Sequence, residues 1–363
     1  MAIREEVRLH KGILYEKLPN NRARCNVCQR RCNIAEDKMG ICLTRINKGG
    51  DIYSTIYGVV SSTGTDPIEK KPVYHYLPGS KAFSLGSFGC NFRCVFCQNW
   101  EIAHANGTAI PAVEGHRIAP EQAVRLAKQY ECATISWTYN EPAIWLEYTL
   151  DCARVGKDQG LDTVYVTNGY ITPEGLDVIG PYLDVYRVDL KSFSDEFYRK
   201  LINVRRVQGI LDVAKRAKDK WNMHIETVTN VIPTWNDDED NLRKIARWVR
   251  ENLGELTPWH VTRFFPCAEL TNVPPTPLET LERARRIGLE EGLKFVYVGN
   301  VAASENGNTY CPVCGVVAVS RFGYAARVEA VTEQGTCADC GADLGIVMGT
   351  DNSAVRNRDG TNM

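Results

Sequence analysis

The chain has almost no excess charge of either sign: 43 Lys and Arg face 44 Asp and Glu in 363 residues, a formal net charge of -1. A polyanion held by bulk electrostatics is therefore not the default partner. Long apolar runs are missing too. No stretch approaches the roughly 18 uninterrupted apolar residues of a membrane span, and the opening MAIREEVRLHKG has no run of signal-peptide length. These absences predict a cytoplasmic chain with no membrane partner. There is no internal repeat of fixed period and no low-complexity tract. What the chain does have is length and patterned cysteine. At about 150 residues per domain it has room for two or three domains and a full hydrophobic core. Fourteen cysteines are too sparse for a disulfide scaffold, yet eleven of them fall into three tight clusters. In a reducing cytosol such spacing binds metal more often than it forms disulfides.

Residues 1–80 read as a Cys-rich accessory region, locally basic, with eleven basic and five acidic residues among the first fifty. From residue 81 to 300, short apolar runs alternate with helix-length amphipathic segments, the signature of a parallel sheet built from βα units. Candidate strands are AFSLGSF, ATISWT, TVYVTN, DVYRVDL, MHIETVT, WHVTRFF and KFVYVG. Pro120 opens one helix, and Asn236, Asp237 and Asp238 put acceptors and negative charge at the start of another. Six or seven units of this kind predict an α/β fold, a partial TIM-type (β/α)6 barrel, with an open doubly wound sheet as the alternative. Residues 301–349 carry two CxxC pairs. The polar stretch 350–363 reads as a disordered tail.

The middle cluster is the sharpest feature. Cys90, Cys94 and Cys97 form a CxxxCxxC loop just after the first strand of the α/β region. Three thiolates can hold three corners of an iron–sulfur cubane, leaving one iron without a protein ligand, and an open metal position is what a catalytic site keeps. The plainer alternative is a zinc knuckle that borrows a fourth ligand. The C-terminal set, Cys311, Cys314, Cys337 and Cys340, reads as a closed zinc ribbon, with rubredoxin-like iron the competing metal. The N-terminal set, Cys25, Cys28, Cys32 and Cys42, suits either structural zinc or an auxiliary iron–sulfur cluster. Cys132, Cys152 and Cys267 stand alone. The default for them is packing, with Cys267 kept as an active-site candidate.

With Phe96 before its last cysteine, the CxxxCxxC loop resembles the hallmark of the radical S-adenosylmethionine (SAM) superfamily. The resemblance implies a [4Fe-4S] cluster on Cys90, Cys94 and Cys97, with SAM chelating the fourth iron and yielding a 5'-deoxyadenosyl radical on reduction. Further matches follow strand order. TYNEP, Thr138 to Pro142, is similar to a Gly-Gly-Glu-Pro type segment that contacts the SAM amino group; Tyr139 and Asn140 replace the glycines and Glu141 keeps the acid. VTNG, Val166 to Gly169, resembles the DTNG of glycyl-radical activating enzymes, with Val166 in place of the acid. VDLK resembles their LDLK strand end. The resemblance thus implies that Phe96 packs near adenine, that Asn140, Glu141, Thr167, Asn168, Asp189 and Lys191 bind or orient SAM, and that Lys191 and His260 act in catalysis. Taken singly, Asn168 and Gly169 could be a strand-to-helix turn, Asp189 and Lys191 a solvated strand end, and His260 a structural histidine.

The N-terminal CxxCxxxC group with DPIEKKPVYHYLPG, SFGCNFRCVFCQNWEIA, TYNEP and IPTWNDDEDN resembles one branch, the radical SAM enzymes of the AmmeMemoRadiSam system, related to pyruvate formate-lyase activating enzymes. That branch implies a low-potential electron donor such as flavodoxin or ferredoxin, with Memo-like and AMMECR-like proteins as candidate partners. The substrate stays open between an unidentified molecule and a glycyl-radical enzyme partner. A different class, a zinc-dependent nucleic-acid or protein-binding module without catalysis, is disfavoured by the near-zero net charge.

Overall fold

The computed structural model describes residues 9–105, 117–301 and 307–349; the tail at 350–363 lies outside them. Six short strands come first: β1 (His10–Lys11), β2 (Tyr15–Leu18), β3 (Arg22–Cys25), β4 (Asn33–Ile34), β5 (Arg45–Lys48) and β6 (Asp51–Ser54). They form two three-stranded antiparallel sheets, β2-β3-β4 and β1-β6-β5.

The central sheet holds β7 (Ser62–Pro67), β8 (Lys81–Gly86), β9 (Thr134–Trp137), β10 (Asp162–Thr167), β11 (Val185–Asp189), β12 (His224–Val231), β13 (Trp259–Arg263) and β14 (Val296–Gly299). β8 to β14 are parallel and neighbour one another in sequence order, while β7 pairs antiparallel on the edge of β8. All seven candidate strands fall on β8–β14. A doubly wound sheet reverses its strand order part-way. This sheet never does, so it is a partial barrel with six βα units and a closing strand. β7 lies before residue 81, so the segment read as accessory supplies the sheet's edge. Strands such as Thr134–Trp137 are buried throughout, as expected for a parallel sheet covered by helices.

The helices are α1 (Trp100–Ala103), α2 (Pro120–Gln129), α3 (Leu146–Asp158), α4 (Pro173–Ile179), α5 (Asp195–Phe197), α6 (Gln208–Asp219), α7 (Glu239–Leu253) and α8 (Leu278–Glu290). α5 runs into a π-helical turn, Tyr198–Ile202. α7 shows why these segments are helical and where they pack. Leu242, Ile245, Ala246, Val249 and Leu253 recur at three- and four-residue spacing and are all buried. Each buried leucine, isoleucine or valine side chain contributes about 1.5–3 kcal/mol. Asp238 caps this helix by accepting from the Asn241 amide at 2.9 Å. Asn236, expected among the starting acceptors, has another role: its Nδ2 donates to the carbonyl of Lys191 at 2.7 Å.

The C-terminal strands β15 (Thr309–Tyr310), β16 (Val317–Phe322) and β17 (Ala325–Val328) form a small antiparallel sheet. It docks through Arg321, which donates to the Tyr74 carbonyl at 2.7 Å and lies over the Tyr74 ring. Phe322 and Tyr324 stand exposed at the β16–β17 turn.

Candidate active site

The loop after β8 carries the cysteine trio to the carboxyl end of the sheet, where barrel sites are built. Its backbone is tied down from two sides. Arg93 and Val95 donate to the carbonyls of Ile202 and Leu201 in the π-helical turn, and the Arg93 guanidinium reaches the carbonyls of Cys90 and Ile41. Cys94 is buried, Cys90 and Cys97 partly so, and all fourteen cysteines of the chain are free thiols. Burial pushes the Cys94 thiol up to about 12, while the Lys191 ammonium pulls the other way. The thiols therefore need a metal's charge to ionise fully.

TYNEP, after β9, meets this loop directly. Asn140 accepts from the Ser87 amide at 3.0 Å and donates to the Gly89 carbonyl at 3.0 Å. Tyr139 sits at φ 72°, the left-handed conformation a glycine takes freely. An aromatic thus holds a conformation that suits glycine, its hydroxyl on Asp66 at 3.1 Å. Glu141 is fully buried. It accepts from the Ala143 amide at 3.0 Å, the Thr167 hydroxyl at 2.7 Å and the Asn168 amide at 2.8 Å. Burial pushes its carboxyl up to about 7 even though these three bonds favour the ionised form. Two of these three bonds go to VTNG and hold that turn.

Asn168, after β10, donates from Nδ2 to Asn91 Oδ1 at 2.8 Å and points the same nitrogen at Cys90 Sγ, 3.7 Å away. Gly169 is at φ 75°, and a Cβ there would come 2.7 Å from Ile210 and 2.9 Å from Val188. On β11, Asp189 accepts from Arg187 at 2.5 Å and from Lys191 Nζ at 2.8 Å. Burial alone would raise the Asp189 carboxyl, but the two cations hold it below its ordinary value. Lys191 Nζ also lies 5.7 Å from the centre of the Phe96 ring, which packs on Phe197. Cys267 completes the rim, its thiol donating to the Phe96 carbonyl at 3.2 Å.

The Radical SAM superfamily model matches residues 85–246, from the end of β8 into α7. An uncharacterized protein of Methanocaldococcus jannaschii is 40% identical over 341 residues, 94% of this chain and 100% of that one. The chain belongs to the radical SAM superfamily. It is similar to the pyruvate formate-lyase-activating enzyme of Clostridium pasteurianum, 24% identical over 220 residues, 57% of this chain and 87% of the other. A solved domain of a pyruvate-formate lyase-activating enzyme from Bacteroides vulgatus aligns with TM-score 0.41 and 17% identity over 46% of this chain and 99% of that one. A radical SAM protein is an enzyme that uses SAM and a [4Fe-4S] cluster, and the residues present fit both. Three soft thiols share one loop, an amide N–H and a buried cation face them, and the acid–base pair Asp189–Lys191 lies beside them.

His260 stands two strands from Asp189 on the same sheet. It is the second residue of β13, buried, with Nε2 2.7 Å from Glu226 Oε2 and its ring against Tyr74 and Tyr297. Glu226 also accepts from the amides of Tyr74 and His75, which lead into β8. Strand register sets His260 level with Val228 and, one strand further, with Asp189, and the Arg187 cation acts on its charge. Arg187 and Asn91 were missed. For Arg187 a signal existed, since Arg187 and Asp189 are two apart on β11 and so share a strand face.

The C-terminal set is of another kind. All four sulfurs of Cys311, Cys314, Cys337 and Cys340 lie within 4.8 Å of one another, with pairs at 3.5 and 3.6 Å. Four thiolates around one ion at about 2.3 Å would be about 3.8 Å apart. The glycines after each knuckle, Gly315 and Gly341, take φ 78° and 75°, the turns expected of them. Among the described residues no other group of three or more metal-ligating side chains draws so close.

Proposed function

We propose that this enzyme takes a hydrogen atom from a polypeptide, as an activating enzyme of the AmmeMemoRadiSam branch. The observation that carries the reading is the convergence of Cys90, Cys94 and Cys97 with Asn168, Asp189 and Lys191 at one end of the sheet. When bound, the cluster and SAM supply a 5'-deoxyadenosyl radical after one-electron reduction. The chain's own residues hold and orient. Lys191 and Asp189 offer a cation and an anion to the methionyl carboxylate and amino groups. Asn168 steadies Cys90, and Glu141 fixes the turn that carries Asn168. Phe96 gives adenine an apolar face. Similarity to activating enzymes supports a protein substrate, with Memo-like and AMMECR-like proteins as the partners to try and flavodoxin or ferredoxin as donor. The C-terminal four-cysteine spacing supports zinc. No helix among the described residues is long and apolar enough to cross a membrane, and we place the enzyme in the cytoplasm. The test is anaerobic reconstitution with SAM and dithionite, with and without those partners. The reading expects 5'-deoxyadenosine, in greater amount with the true substrate. No release from a protein that holds only zinc contradicts it.

A further inference from the structure

The N-terminal cysteines come from separate turns yet line a single cavity. Cys25 ends β3, Cys28 and Cys32 sit in the turn toward β4, and Cys42 precedes β5; Arg30 and Asn91 complete the wall. Three observations decide what such a cavity holds. First, the sulfurs are not gathered for one ion as the C-terminal four are. A cubane needs a wider setting, because each thiolate binds a different iron. Second, the wall carries buried donors with no acceptor: Asn91 Nδ2, on a side chain with 0% exposure, and Arg30 Nη2. Arg45, also in the wall, leaves Nε unpartnered while both its terminal nitrogens hold Glu147. A buried donor without a partner costs about 1–3 kcal/mol, and cluster sulfides are acceptors that would satisfy it.

Third, the cavity shares a wall with the catalytic loop. A Cβ on Gly89, the residue before Cys90, would lie 2.5 Å from the Cys42 carbonyl oxygen, so the two segments are in backbone contact. Arg30 Nε donates to the Asn91 carbonyl at 3.0 Å, and Asn91 Oδ1 accepts from Asn168 beside Cys90. Asn91 therefore faces both cysteine sets.

We infer that Cys25, Cys28, Cys32 and Cys42 bind a second iron–sulfur cubane, fully ligated by protein, that relays electrons to the Cys90–Cys94–Cys97 site. One electron enters from a reduced flavodoxin- or ferredoxin-class donor and leaves toward the neighbouring cluster. The relay returns to its oxidised state, and no bond is made or broken there. Four protein ligands leave no iron open to SAM, which suits electron transfer. The relay role rests on the radical SAM reading; the metal assignment does not.

The triple variant Cys90→Ala, Cys94→Ala, Cys97→Ala, reconstituted anaerobically as the full chain, tests the metal. It should keep half the wild-type iron and sulfide, unchanged zinc, and an EPR signal on dithionite reduction that is indifferent to SAM. A second equivalent of zinc, or no iron, overturns the assignment. Cys28→Ser covers the case in which the triple variant does not fold. It should lose the SAM-indifferent signal and keep the SAM-sensitive one. Its SAM cleavage should be lost with reduced flavodoxin and kept with dithionite. Unchanged cleavage with flavodoxin overturns the relay. Iron in both sites with no cleavage from either donor would sink the radical reading and leave the second cluster standing.

Discussion

The two ends of the chain use cysteine in opposite ways. At the C-terminus four sulfurs crowd within 4.8 Å of one another, two of them on exposed residues. At the mouth of the sheet three more widely set cysteines face a buried ammonium and an amide nitrogen. A closed, crowded set satisfies its metal and stabilises a small sheet. An open set backed by charge leaves a coordination position for chemistry. Number of ligands, spacing and neighbours together separate the roles.

Exchanging one cysteine in each set should break the comparison most visibly. Cys94→Ala should abolish SAM cleavage with little change in melting temperature. Cys314→Ser should release zinc and lower the melting temperature by roughly 5–10 °C, with cleavage by the folded fraction retained. Equal losses of activity would merge the two roles. Metal analysis and thermal denaturation read both.

Glu141 gives the mouth of the sheet a pH signature of its own. Its carboxyl is raised by burial to about 7, so between the ordinary carboxylate range and neutrality the folded chain holds a proton that the unfolded chain has lost. The stability it contributes is present at acid pH and fades as pH rises through about 7, a change of about 3 kcal/mol. Melting of cluster-free protein at pH 5.5 and 8 should show wild type losing ground to Glu141→Gln as pH rises. Parallel profiles would refute the assignment.

Lys191→Met removes the ammonium and leaves Asp189 on Arg187, so the fold should survive. The kcat/KM for SAM should fall roughly 10- to 100-fold, the range for residues that orient metal ligands. An unchanged value in a 5'-deoxyadenosine assay would remove Lys191 from the site. The smallest contrast uses two glycines at the same φ of 75°. Gly169→Ala meets Ile210 and Val188 and should cost about 2–3 kcal/mol, whereas Gly341→Ala has open space and should cost about 1 kcal/mol. Equal costs by denaturant titration would show that close packing around VTNG is not what sets this position.

The sheet was legible because its strands are short β-branched and aromatic runs between amphipathic helices, and the trio because its spacing lacks a fourth ligand. Asn140, Thr167, Asn168 and Asp189 came from motif resemblance, and the structure gathers them at the strand ends beside the trio. The surroundings of His260 were not legible. Sequence order puts it on a strand near the site, but its partners Glu226, Tyr74 and Tyr297 come from segments far apart in the chain, and only the packed barrel shows them. Asn91 carries no periodic or charge signal, so its place between two cysteine sets appears only in three dimensions. The N-terminal set left zinc and cluster open because ligand spacing along the chain does not report sulfur spacing in space.

The most direct test is EPR of the dithionite-reduced, reconstituted protein with and without SAM. A [4Fe-4S] signal that shifts when SAM is added, and is absent from Cys94→Ala, is what an open iron at the trio predicts. A signal that ignores SAM, or a SAM-dependent shift that survives in Cys94→Ala, would contradict it.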